Sequence, residues 1–472
     1  MDNKKLGLGS VISTGVGLIV ATTCLMSLGQ GSGTTGCVFI IAMIIACALN
    51  MLTAGSLAEL NALMPNLSGG LAQYTLACLG PFPSIVSMIG GYVVCNSLAA
   101  SVEAAMFGNV IQQALSLPVP ATVISVAVII LLIIANLFGI DMFAKVQDVV
   151  AYALIGSLFV LGIIGMFGWG TGNFVDQAAN MTTSPKDILG MTAMAFWLFI
   201  GVEFIIPIAK DVRNAKKNIP RGMFISLATV LLMQTVMVLG FRHYVNWSDL
   251  ASSPVPHMLY GVNMLGTPGR IWMALVSVFA AVSTLNSVIS GLGKICQGMS
   301  KLGMLPEIFM KTNRYGAPVA GILLIGGGIL IVESTGLSTT TEISFVLLTG
   351  SVFWMVSYIL AHINVLILRG RLPKAPRSFK MPLGPVLPVI GIIGTAYMIL
   401  NISPDPVVRN KIWLLTGCIF VILSIYAFLW IKLRMKISVF KALPLEKVMA
   451  MENELYYPAH KTADRREMFM KG

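Results

Sequence analysis

The sequence predicts an all-α integral membrane protein with about twelve transmembrane helices. Three observations carry that expectation. Of 472 residues, 56% are hydrophobic and 11% charged, and the mean hydropathy is +0.86. Ordinary soluble domains carry roughly 25% charged residues, so a soluble enzyme is excluded. Apolar windows recur along the chain at about the 20-residue length that crosses a bilayer's hydrocarbon core. The charges gather between those windows, strongly biased to alternate gaps.

The first window, 8–33, follows Met1-Asp2-Asn3-Lys4-Lys5, which has the basic edge of a secretory signal. The apolar run is too long for a cleaved signal and no clear A-x-A site follows, so a retained first span is expected. Windows at 36–60, 82–113, 119–138, 145–168 and 189–209 complete one set. A second set falls at 221–243, 268–298, 317–335, 343–368, 383–402 and 411–432. Twelve spans put both termini on one side. That side holds 26 of the 31 Lys and Arg, including Lys4, Lys5, Lys145, Lys210, Lys294 and Lys374; only Lys186, Arg242, Arg270, Arg409 and Lys411 fall opposite. This is the positive-inside pattern, so both termini are expected in the cytoplasm and the chain in the cytoplasmic membrane. The net charge of +12 is therefore topological, and a nucleic-acid partner is not expected. The tail 433–472 mixes charge with Met, Tyr and Phe, and is read as a cytoplasmic tail, solvated or lying along the membrane face.

The seven cysteines (24, 37, 47, 78, 95, 296, 418) lie mostly in apolar runs, with no CxxC pair and no partner His spacing. They read as small hydrophobes, with no disulfide framework, metal or cofactor expected. Gly31-Ser32-Gly33-Thr34-Thr35-Gly36 matches GxGxxG, but it follows a membrane span, without the strand a dinucleotide site requires. A flexible outer turn between the first two spans is the expectation.

The first span contains Ser13-Thr14-Gly15-Val16-Gly17-Leu18-Ile19-Val20-Ala21-Thr22-Thr23-Cys24. Glycines and hydroxyls in a membrane helix serve close helix packing or line a cavity; adjacent Thr22 and Thr23 near mid-depth favour a cavity. The sixth span reads Phe196-Trp197-Leu198-Phe199-Ile200-Gly201-Val202-Glu203-Phe204, and it too has glycine and polar atoms at mid-depth. Glu203 has no cation within one helical turn. Burying it ionised costs several kcal/mol, so it marks a functional site, or else stays protonated and caps broken backbone. A break at Gly201 would turn Trp197 and Glu203 toward one cavity. On the third span Tyr92, Asn96 and Glu103 fall close to one helical face, fitting interhelical hydrogen bonding or a pathway lining. Glu59 is expected at the inner interface. His243, His257, His362 and His460 are scattered, and no catalytic spacing emerges, so no enzyme activity is expected.

The string F-W-x-F-x-G-V-E of the sixth span, followed by a basic stretch ending Asn218-Ile219-Pro220-Arg221, resembles the amino acid–polyamine–organocation (APC) transporters. Bacterial amino acid antiporters that exchange an amino acid for its amine are especially similar. Ser283-Thr284-Leu285-Asn286-Ser287, then Lys294 and Gly303-Met304-Leu305-Pro306-Glu307, resemble the family's eighth segment and following loop. The resemblance implies a LeuT-like fold: a five-helix repeat over 1–168, a second, inverted one over 189–368, and two appended helices over 383–432. It also implies a substrate held where helices 1 and 6 unwind. There the N-termini of half-helices suit a carboxylate and the opposing C-terminal carbonyls suit an ammonium. Ala21, Thr22, Thr23 and Cys24 would receive the carboxylate, with Asn96 beside them. Trp197 would stack on or gate the substrate, and Ile200 and Gly201 would form the unwound floor. Glu203 would sense protons or couple binding to gating.

Three departures stand out. Ala21-Thr22-Thr23 replaces the family's glycine–small–glycine turn, Asn214-Ala215 replaces Asn-Pro, and Leu154 takes the place where some proton-coupled relatives carry a helix-5 lysine. The expected function is secondary transport of an amino acid or its amine derivative by alternating access. The missing lysine favours exchange over proton symport. A channel would favour a continuous polar lining, and a non-transporting sensor would bind without flux. Dimers occur among such transporters, and a homodimer is an option these residues leave open.

Overall fold

The computed structural model describes residues 5–64, 71–139, 147–182, 184–206, 208–209, 212–336, 343–373, 375 and 377–444. Lys4, Lys145, Lys210, Lys374 and the 445–472 part of the tail lie outside the described residues. Helices dominate, in the order α1 (Leu8–Ile19), α2 (Thr22–Thr35), α3 (Phe39–Leu63), α4 (Leu71–Leu79), α5 (Pro81–Met88), α6 (Cys95–Leu115), α7 (Ala121–Leu137) and α8 (Gln147–Met166). There follow α9 (Pro185–Gly190), α10 (Thr192–Trp197), α11 (Ala215–Tyr244), α12 (Trp247–Ser252), α13 (Pro256–Lys301), α14 (Val319–Ser334), α15 (Ile343–Arg371), α16 (Val386–Leu400) and α17 (Pro406–Trp430).

Among the described residues, eight helical stretches are long and apolar enough to cross a membrane, and α1 with α2 forms one further, bent pair. α7, α14 and α16 are shorter apolar helices. Every window expected from hydropathy contains helix, so the all-α membrane architecture holds. The windows differ in how deeply they are buried: within an 18-residue apolar segment of the 81–115 and 185–205 stretches 72% of residues are enclosed by protein, against 22% for 406–435. The former are central. On α17, Leu414, Val421, Ile422 and Ile425 are exposed, the pattern of a lipid-facing helix.

Some elements depart from the sequence reading. α4 is a helix of nine residues that hydropathy windows pass over, because it is too short to span. The window at 268–298 is the second part of α13, which runs from Pro256 to Lys301 and kinks at Gly266 (φ +64°), two residues before Pro268. The outer turn expected at 31–36 is instead the end of α2. Gly31 lies against the Phe39 ring, and Gly33 lies against α12, where an added Cβ would sit 2.3 Å from Ala251 N and 2.7 Å from Trp247 O. Only Gly36 (φ +78°) is a turn residue. The motif is thus a contact that lets two helix backbones approach. Gly33→Ala is expected to overpack this contact at about 1–3 kcal/mol, read as a lower melting temperature in detergent; an unchanged melt would mean that α12 moves freely.

At the far end, Glu59 on α3 accepts from Arg369 Nε (2.8 Å) on α15 and from Met381 N–H (2.9 Å), and pairs with Arg377 Nε at 3.4 Å. What reads from sequence as an interfacial glutamate is a buried node joining three segments. The start of the tail also packs: Phe82 N–H donates to Val439 O (3.2 Å), Leu443 N–H to Leu76 O (3.2 Å), and the Phe82 and Phe440 rings lie 5.2 Å apart.

Candidate functional site

Two helices lose their winding at the centre of the bundle. The first breaks between α1 and α2, where Val20 (ψ +84°) and Ala21 (ψ +164°) leave the helical region and segments 8–17 and 22–35 meet at 63°. No glycine is needed there, because both residues keep negative φ. The second breaks after Trp197. Residues 198–201 form turns, Gly201 takes φ +118°, and Val202–Ile205 continue as a 3₁₀ turn. That φ is open to glycine and strained for other residues. Gln234 Nε2 of α11 donates to the freed Leu198 carbonyl at 3.3 Å.

The breaks face each other. Trp197 Nε1 donates to Thr23 Oγ1 (3.3 Å), and Cys24 Sγ lies 3.9 Å from the Trp197 carbonyl. Between them opens a cavity of about 660 Å³, counting its part continuous with the outside. Of the residues singled out from sequence, Ala21, Thr23, Cys24, Asn96, Trp197, Ile200 and Gly201 line it. Thr22 is not on the wall: its hydroxyl donates to Ser277 O of α13 at 3.1 Å. Asn96 turns its amide back to Tyr92 O (3.0 Å), beside a π-helical turn at Ile89–Val94. Glu203 is not on the wall either. It sits behind Trp354, whose Nε1 donates to Oε1 at 2.6 Å, while Tyr358 OH donates to Oε2 at 2.6 Å. Each of its oxygens thus has a partner on α15.

The sequence reading names the group that dominates the site for hydrogen bonding or a pathway lining, but leaves it out of the substrate-binding set. Glu103 of α6 lines the cavity and places Oε1 2.7 Å from Thr22 N and Oε2 2.9 Å from Thr23 N. The next two amides are also used: Cys24 N–H and Leu25 N–H both reach Ala21 O, at 3.1 and 3.4 Å. The first turn of α2 therefore has its anion already, supplied by the protein. Charge-assisted bonds of this kind are about twice as strong as neutral ones, and the helix dipole adds to them. A second carboxylate brought within 4 Å would meet a repulsion of about 4 kcal/mol at a near-surface dielectric. The expectation that Ala21 to Cys24 receive a substrate carboxylate thus meets an occupied N-terminus. The signal was present: Glu103 is an intramembrane carboxylate without a local cation, just as Glu203 is.

The rest of the wall is aromatic and hydroxylic. Trp354 and Phe204 line it with ring centroids 6.0 Å apart, and Tyr92 backs them at 5.5 Å from Trp354. Thr284 and Ser287 of α13 lie on the wall, and Thr284 Oγ1 is buried with no hydrogen-bond partner among the described residues. Among the described residues, no Lys, Arg or His lines the cavity. Among the described residues, no three His, Cys, Asp or Glu side chains gather as a metal-binding group.

Comparison with known proteins agrees with this arrangement. The amino acid permease family model matches residues 6–425. The branched-chain amino acid permease BcaP of Bacillus subtilis (strain 168) is 24% identical over 448 residues, 88% of this chain and 92% of that protein. The methylthioribose transporter of the same organism is 24% identical over 410 residues, 82% and 84% of the two chains. Among solved structures, the Eremococcus coleocola manganese transporter, in complex with an aromatic bis-isothiourea substituted compound, aligns with a TM-score of 0.56. Identity there is 14%, over 90% of this chain and 94% of that one, a likeness of fold alone. With a LeuT-like arrangement and a family match over most of its length, this chain belongs to the amino acid permease family and is a membrane transporter of the APC superfamily.

Proposed function

We propose that the protein carries an amino acid or its amine derivative across the cytoplasmic membrane by alternating access, as an exchanger, with both termini in the cytoplasm. The observation that carries this reading is the pair of opposed helix breaks around one cavity, held by Trp197 to Thr23 and Cys24 to Trp197 contacts. Irregular backbone at such depth persists where it lines a cavity rather than lipid. In this reading 1–168 and 189–368 are the two repeats that rock against each other, and 383–432 is appended. Trp197 and Trp354 form the aromatic wall, Ile200 and Gly201 the floor, and Glu203 ties that wall to α15. Exchange is favoured because the position expected for a coupling lysine is Leu154, buried on α8 and unable to hold a proton.

The test is uptake of labelled solutes into proteoliposomes, with and without internal counter-substrate and a proton gradient. Flux that requires counter-substrate is expected. Flux driven by the gradient alone would mean symport, and binding without flux would mean a sensor. Trp197→Ala is expected to weaken substrate affinity by about tenfold, the loss of roughly 1.4 kcal/mol of aromatic contact, while leaving expression near wild type. Normal affinity would remove Trp197 from substrate contact.

A further inference from the structure

We propose that the transported solute is a cation without a free carboxylate, an organic amine rather than an α-amino acid. This rests on the transporter reading above and narrows its substrate class. Thr22 N–H and Thr23 N–H, the two donors a substrate carboxylate would need at the start of α2, are held by Glu103 at 2.7 and 2.9 Å. The remaining first-turn donors, Cys24 N–H and Leu25 N–H, are bonded to Ala21 O. An incoming carboxylate would have to expel Glu103 from the helix N-terminus, and among the described residues no cation on the cavity wall could receive the displaced group.

The same geometry welcomes an ammonium. The donors on Glu103 come from Thr22 and Thr23 and are neutral, so its negative charge is left for a cation to balance. Thr284, whose buried Oγ1 has no hydrogen-bond partner among the described residues, also lines the cavity and adds an acceptor. Trp197, Trp354 and Phe204 provide π faces that attract a cation and cover an apolar stem. Glu203, one indole behind the wall, adds a second carboxylate on the same side of the charge balance. The side chains therefore do what the family's empty half-helix leaves to its ligand: they bring the anion and wait for the cation.

The experiment compares matched pairs that differ only in the carboxylate: ornithine and putrescine, histidine and histamine, arginine and agmatine, phenylalanine and phenethylamine. Affinity is measured by calorimetry on the purified full chain, and flux in proteoliposomes. The expected result is that the amine of at least one pair binds at least tenfold more tightly than its parent amino acid and is transported. An amino acid that binds as tightly as its amine overturns the inference while leaving the transporter reading standing. No binding and no flux by any of the eight compounds overturns the inference as well, and binding without flux by an amine supports it while sinking the transporter reading instead. Glu103→Gln gives a second measure, because a carboxamide offers the two amides one acceptor and removes the negative charge. The amine-to-amino-acid preference is expected to fall at least tenfold in this variant; an unchanged preference overturns the inference. If the variant does not fold, the wild-type pairs still decide.

Discussion

Glu203→Ala is expected to reduce the initial rate of uptake by on the order of 100-fold. The substitution leaves Trp354 Nε1 and Tyr358 OH without their 2.6 Å acceptors in a buried setting. Each orphaned donor costs about 1–3 kcal/mol, and roughly 2.7 kcal/mol of misplacement at the cavity wall already corresponds to a hundredfold. Trp354 carries the effect to the site, since it lines the cavity on its other face. Glu203→Gln separates charge from shape. Its amide keeps one acceptor but turns a donor toward a donor, so a loss of about tenfold is expected, together with a flattened pH dependence of transport. Rates are measured in proteoliposomes, normalised to reconstituted protein. A Gln variant with the wild-type pH profile would take Glu203 out of proton sensing. An Ala variant with wild-type rate would show that Trp354 keeps its place without the bond.

The second large effect is on stability. Glu59→Ala is expected to destabilise the folded protein by about 3–5 kcal/mol, the typical cost of removing one partner from a buried ion pair. Glu59 is 2% exposed and its partner Arg377 4%, while Arg369 is 13% exposed. Removing the carboxylate leaves two guanidinium groups facing each other and orphans the Met381 amide. Arg369 retains the Met381 carbonyl at 2.9 Å and the Gly384 carbonyl, which hold it in place but do not neutralise it. Unfolding in detergent measures the loss. A change under about 1 kcal/mol would mean that water reaches Arg369 and screens the cluster. Because this node joins α3, the end of α15 and the segment near Met381, its loss is also expected to lower expression, in contrast to Trp197→Ala, whose effect falls on affinity.

Much of the architecture was legible from local pattern. Solvent preference is written residue by residue, so the windows around 36–60 or 411–432 declare themselves without reference to any other part of the chain. The break after Trp197 was legible as well, because a glycine beside an unpaired glutamate inside an apolar run is a local conflict. The break at Val20 and Ala21 was placed by resemblance, and its physical cause was not visible locally: no glycine marks it, and the residue that holds it, Glu103, is 81 positions away from Thr22. Trp354 and Tyr358 were missed for the same reason. Each is an ordinary member of an apolar helix until the fold sets it 151 and 155 positions from Glu203 and within hydrogen-bond distance. The GxGxxG string illustrates the reverse case, in which a recognisable local pattern takes its meaning from α12 lying across it.

The amino-acid sequence by itself determined that this chain lives in lipid as helices, since hydropathy is a property of each segment alone. Only the tertiary structure decided which charges meet which backbone ends. A buried carboxylate must find donors, and which donors it finds depends on helices brought together from distant parts of the chain.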